Sequence, residues 1–233
     1  MGVIIQTTKV SWKHFIFGML FIEFGITMFI GFPLEVGSSL EFIKEKINTD
    51  NVELVGNFLY DFLNLLFMLL FISIYKPFRK IIISVCNVKP LYLFRTYVYI
   101  FLCNVINIVV DKITNLYFFN SANIQAEYLG IETLNEQSLI IFIFTILSLV
   151  IIGPIYEEIL FRGIIIKFFE VRYSFVIGLI ISSLLFGSVH NYDIGFIIFA
   201  TMMGVMYSLL YKKTNSLFPC MIAHITYNLY AFL

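Results

Sequence analysis

Residues 138–156 read S-L-I-I-F-I-F-T-I-L-S-L-V-I-I-G-P-I-Y, without a single Asp, Glu, Lys or Arg. A helix needs about 20 such residues to cross a hydrocarbon layer about 30 Å thick. The run ends at Gly153–Pro154 and leads directly into two carboxylates, Glu157 and Glu158. An apolar span that stops on acid residues sets both the fold class and the place to look for chemistry.

The rest of the chain has the same character. Of its 233 residues 60% are hydrophobic and 13% charged, where a soluble domain carries about 25% charged residues. The mean hydropathy is +0.94. This leaves too little polar surface for a water-soluble globule and excludes a disordered chain. Fifteen basic and 15 acidic residues balance, so nothing suggests nucleic acid as a partner. Cys86, Cys103 and Cys220 lie far apart and read as reduced core thiols, not as a disulfide or zinc framework.

Further apolar windows fall at 14–32, 56–75, 91–110, 174–190, 195–211 and 216–233. They are too long and irregular for barrel strands. The expected fold is all-α, a polytopic transmembrane helix bundle of about seven spans, six to eight allowing for merged windows. One transmembrane domain is expected over 1–233, with 138–233 as its chemically marked half. Gln6 breaks an N-myristoylation pattern.

Basic residues orient the bundle. With the N-terminus cytoplasmic, only Lys44, Lys46 and Lys112 of the 15 fall outside. Outer loops are expected at 33–55 and 112–137. Leu40–Ile47, with mixed charges, is expected as a short interfacial helix.

Polar residues within spans are costly and therefore informative. Glu23 lies in the first span, Asp61 and Asn64 in the second, and Asn104, Asn107 and Asp111 form a stripe on the third. Interhelical hydrogen bonding accounts for most of these. His14 stands at the mouth of the first span and reads as interfacial.

The second half carries Glu157, Glu158 and Arg162 in E-E-I-L-F-R, Phe186 and His190 in F-G-S-V-H, and His224 and Asn228 in H-I-T-Y-N. Singly, each has a structural explanation, such as an i, i+4 ion pair for Glu158 and Arg162. Chain arithmetic brings them together. If Pro154 kinks a long helix over 138–170 that reverses near Arg172, Glu157 and His190 lie about 22 and 27 Å from that turn, at similar depth. His224 lies about 15 Å beyond the turn at Lys213. His224 and Asn228, four apart, share a helix face.

E-E-x-x-x-R, F-x-x-x-H and H-x-x-x-N, in this order on successive spans, resemble the CPBP family, the CAAX-protease and bacteriocin-processing (Abi) intramembrane proteases. The resemblance covers roughly 138–233. It implies peptide-bond hydrolysis within or next to the membrane. By position Glu157 would be the catalytic glutamate, completed by His190, His224 and Asn228. Glu158 and Arg162 would orient the first motif, and Phe186 would support the second. The implied partners are the lipid bilayer and a membrane-embedded or membrane-associated peptide or protein.

The chemistry is consistent with that. The chain has no G-x-S-x-G and no H-E-x-x-H, so water is the expected nucleophile. Glu157 and His190 would activate it, and His224 and Asn228 would donate to the oxyanion. Successive helical residues point about 100° apart, so Glu157 and Glu158 cannot both face that water. No cofactor is required in this reading. The alternative is zinc on Glu157, His190 and His224, one carboxylate and two imidazoles. The rival functions are a catalytically idle membrane partner for bacteriocin immunity or sensor regulation, and a proton-coupled transporter. Usage rich in Ile, Phe, Asn and Lys suggests a bacterial cell membrane, and bacteriocin processing or peptide maturation as context.

Overall fold

The computed structural model describes residues 9–31, 49–118 and 139–232. These are helical almost throughout: α1 (Trp12–Ile26), α2 (Thr49–Ile74), α3 (Lys76–Val85), α4 (Phe94–Tyr117), α5 (Leu139–Arg172), α6 (Phe175–Val189), α7 (Ile194–Thr214) and α8 (Phe218–Phe232). Among the described residues, five helices are long and apolar enough to cross a membrane, namely α1, α2, α4, α5 and α7. The windows that became α6 and α8 are helical too, but each has only 15 residues. The bundle is therefore polytopic, and two of the seven expected spans are short.

Helix ends differ from the expected loops. α2 begins at Thr49, inside the expected loop 33–55, and α4 runs to Tyr117, past the expected boundary at 112. Directly after the apolar window 56–75 the chain forms α3. The expected interfacial helix Leu40–Ile47 lies outside the described residues.

α5 is the helix foreseen over 138–170, and it turns into α6 at Tyr173–Ser174. It is not a uniform α-helix. π-helical turns occupy Leu147–Ile152 and Ile159–Ile166. The first ends where Gly153 donates to Ser148 O, five residues back. Pro154 has no N–H to continue the ladder, so the expected kink is expressed as a widened turn just before it. π-turns leave carbonyls short of partners and cluster at functional sites. Ser182 on α6 donates to the Phe161 carbonyl at 3.0 Å.

The chain divides into two compact units, with the boundary between Tyr156 and Glu157. One comprises residues 10–79 and 139–156. Here α1 meets α2 through aromatic rings, Phe21 on Phe71 with centroids 4.6 Å apart and Phe17 on Tyr75 at 5.6 Å. α2 meets the first half of α5 through Phe58 and Phe144, stacked at 4.5 Å. Asp61 takes a hydrogen bond from Ser148 in the first π-turn, which gives this mid-span acid an interhelical role. His14 pairs with the Tyr75 hydroxyl at 2.9 Å. Glu23 is exposed on α1.

The other unit holds 80–118 and 157–232. Its tightest pair is α6 and α7, which approach at small residues. A Cβ on Gly187 would lie 2.7 Å from the Ile197 carbonyl and collide with Thr201, and one on Gly204 would lie 3.0 Å from the Ser183 backbone. Backbones this close need glycine. α6 and α7 start on Ser174 and Asp193, whose side chains accept N–H groups at 3.3 and 2.8 Å. α7 stops at Asn215, which takes the left-handed conformation at φ 49°. Asn104 of α4 donates to Thr226 of α8 at 2.8 Å, while Asp111 accepts from Asn115 on its own helix at 2.9 Å.

Candidate active site

The second unit contains every residue of the three motifs. Glu157 and Glu158 lie in α5 just before its second π-turn. Phe186 is in the last turn of α6, and His190 is that helix's C-cap. His224 and Asn228 lie one turn apart on α8.

The two glutamates divide as helix geometry requires. Glu158 points inward. It and Arg162 are fully buried and pair at 2.9 Å. The guanidinium also donates to the Gly204 carbonyl at 3.3 Å. It packs on the Phe186 ring at 4.5 Å and the Tyr207 ring at 5.2 Å from the centroids. A buried charge is tolerated only when paired and hydrogen-bonded; here a carboxylate, a carbonyl and two π-faces do that.

Glu157 turns the other way. Its side chain is 24% exposed, and its two oxygens face two histidines: Oε1 lies 3.8 Å from His190 Nε2 and Oε2 lies 3.7 Å from His224 Nε2. Each imidazole is anchored through its other nitrogen. His190 Nδ1 donates to the Phe186 carbonyl at 2.7 Å, and His224 Nδ1 donates to Glu158 Oε1 at 2.9 Å. With Nδ1–H committed, each ring in its neutral form presents an unprotonated Nε2 toward the Glu157 carboxylate. Three acceptors around one small space fit a shared donor, such as a water molecule.

The F-x-x-x-H spacing now has a physical reading. Phe186 supplies the carbonyl that fixes the His190 tautomer, and its ring packs against both histidines, at 4.6 Å from His190 and 5.9 Å from His224. Asn228 is half-buried on the His224 side of α8.

Two residues outside the motifs join the site. Gly204 offers its carbonyl to Arg162, and the fully buried Tyr207 ring stacks on His224 with centroids 4.8 Å apart and planes 30° apart. Both lie on α7, an apolar helix in which nothing in the local sequence sets them apart.

Glu157, His190 and His224 are a donor set zinc accepts. Their spacing is wide for it. Two ligands on one tetrahedral zinc at about 2.0–2.1 Å stand about 3.3 Å from each other, against 3.7 and 3.8 Å here. Among the described residues no group of three or more His, Cys, Asp or Glu side chains has metal-holding geometry. The site does not fit zinc as it stands.

Residues 139–230 match the family described as Type II CAAX prenyl endopeptidase Rce1-like. A Bacillus subtilis (strain 168) protein named "Putative membrane peptidase YdiL" is 33% identical over 104 residues, covering 43% of this chain and 42% of that protein. The match thus spans less than half the length of that relative. No solved structure matches the chain. The resemblance drawn from the three motif blocks holds over the segment that carries them.

Proposed function

We propose that this protein is an intramembrane endopeptidase of the CAAX-protease type that hydrolyses a peptide bond with a water activated by Glu157. The observation that carries this is the convergence of His190 Nε2 and His224 Nε2 on the two oxygens of one part-exposed carboxylate. A water there donates to the carboxylate and to an imidazole, which orients its lone pair and gives its proton an acceptor. Glu157 then carries that proton toward the leaving nitrogen.

His190, locked by Phe186, holds the water. His224 takes a different part. Glu158 beside its Nδ1 matches the imidazolium formed when Nε2 takes the water's proton over from Glu157 Oε2, 3.7 Å away, and in that state Nε2 donates to the oxyanion until the proton passes to the leaving nitrogen. The Asn228 amide, one turn along, supplies a second donor. No step calls for a metal.

Depth favours a membrane-bound substrate. α6 has 15 residues, about 22 Å of helix, less than a hydrocarbon core about 30 Å thick. A helix that starts at the interface and stops short places its C-cap, His190, within the membrane. Irregular backbone at that depth is tolerated where it lines a cavity or lies in protein. The substrate is a peptide presented from the bilayer. A leader, pheromone or bacteriocin precursor in a bacterial cell membrane fits this better than a prenylated protein.

The test is cleavage by the purified chain in lipid vesicles. It is offered two peptide sets, hydrophobic leader-type segments and prenylated C-terminal CAAX peptides, and products are read by mass spectrometry. Cleavage of the first set is expected. Cleavage of prenylated peptides alone would overturn the substrate class, and cleavage of neither would overturn the activity.

A further inference from the structure

Tyr207 carries more than packing. Its side chain is fully buried, and its hydroxyl has no hydrogen-bond partner among the described residues. A buried phenol normally finds one. The same core holds an unsatisfied acceptor: Glu158 gives Oε1 to both His224 and Arg162, while its other oxygen, Oε2, is buried and has no partner among the described residues. Arg162 touches both groups, pairing with Glu158 at 2.9 Å and packing on the Tyr207 ring at 5.2 Å. Between them stands His224, stacked on the Tyr207 ring and bonded to the Glu158 carboxylate.

We infer that Tyr207 is a positioning residue for the reaction proposed above: its ring sets the tilt of the His224 imidazole, and its hydroxyl is the donor for Glu158 Oε2 through one water. With Oε2 held, the carboxylate cannot rotate, and Oε1 stays on His224 Nδ1. That keeps the Nδ1–H tautomer and leaves Nε2 aimed at Glu157. The inference rests on the peptidase reading for its purpose, but the hydroxyl's effect on His224 does not depend on cleavage.

Tyr207→Phe keeps the ring and removes only the hydroxyl. The chain has three histidines, so the full-length protein labelled with [15N]histidine in micelles gives three pairs of ring nitrogens. His224 is assigned by its loss in His224→Gln. At about pH 8, where ordinary imidazoles are neutral, the wild type should show His224 Nδ1 protonated and Nε2 unprotonated, well separated. In Tyr207→Phe the two resonances should converge as both tautomers become populated. In the vesicle assay kcat should fall about tenfold, the worth of one hydrogen bond to a charged group, with KM unchanged and the melting temperature lowered by less than in His224→Gln.

Unchanged His224 nitrogens in Tyr207→Phe overturn the inference, whether cleavage stays at the wild-type rate or falls in step with melting temperature. If the wild type cleaves nothing yet the nitrogens converge, the peptidase reading fails and the assignment of Tyr207 stands.

Discussion

Glu158 holds His224 by its Nδ1 at 2.9 Å through Oε1, the oxygen that also takes Arg162 at 2.9 Å. One buried atom thus ties the site's internal ion pair to the histidine that faces Glu157. The acid adjacent to the reactive carboxylate in sequence is its scaffold in space.

That linkage separates stability from chemistry. Glu158→Gln leaves Arg162 buried without its counter-ion, and Arg162→Met leaves Glu158 in the same position. Breaking a fully buried pair costs about 3–5 kcal/mol. Both single variants should melt lower and accumulate less, with cleavage falling in parallel. The double variant should be milder than the sum of the two. Thermal unfolding in detergent for the set checks this, and additive losses would contradict it.

The two histidines should fail differently. His190 is held by a main-chain carbonyl at the end of α6 and His224 by a buried carboxylate. His190→Gln should lose cleavage by about 10²- to 10⁴-fold, as for a lost acid–base group, with little change in melting temperature. His224→Gln should lose cleavage as fully and also melt lower, because Glu158 loses a charge-assisted partner. Paired rate and melting measurements decide.

Gly187 is predicted to be intolerant of a methyl group. Its Cβ would stand 2.7 Å from the Ile197 carbonyl, which cannot rotate away as a side chain can. Gly187→Ala should force α6 off α7 at a cost of about 1–3 kcal/mol. His190 lies three residues further along, so cleavage should drop beyond what the loss of folded protein explains.

Chelators give a further check. With water activated by Glu157 and the two imidazoles, EDTA and phenanthroline should leave vesicle cleavage unchanged. Loss of activity restored specifically by zinc would establish the metal reading instead.

Much of this was legible in the sequence because bilayers constrain chains so strongly. Apolar length predicted the helices, and the i, i+4 spacing of Glu158 and Arg162 predicted which carboxylate turns inward. Pro154 flagged the break in α5 but not its form, since a π-turn depends on where neighbouring helices can satisfy freed carbonyls, as Ser182 does for Phe161. Window counting placed α6 closely, since the polar run His190–Asp193 ends it, but counted it as a span although its 15 residues fall short of one. Tyr207 and Gly204 were invisible for another reason: their roles exist only once α7 lies against α5 and α8. The notion of His224 as a simple oxyanion donor was incomplete, since its Nδ1 is already committed to Glu158.

The central claim is that Glu157 is the group whose proton acceptance drives peptide cleavage. The most direct measurement compares, by mass spectrometry, the membrane and secreted peptides of cells carrying the wild-type chain with those of cells carrying Glu157→Gln at equal protein levels. Gln keeps the shape of the side chain and cannot take the proton. Specific peptides present with the wild type should be replaced by their uncleaved precursors in the variant. Identical peptide profiles, or full cleavage by a stably folded Glu157→Gln, would contradict the account.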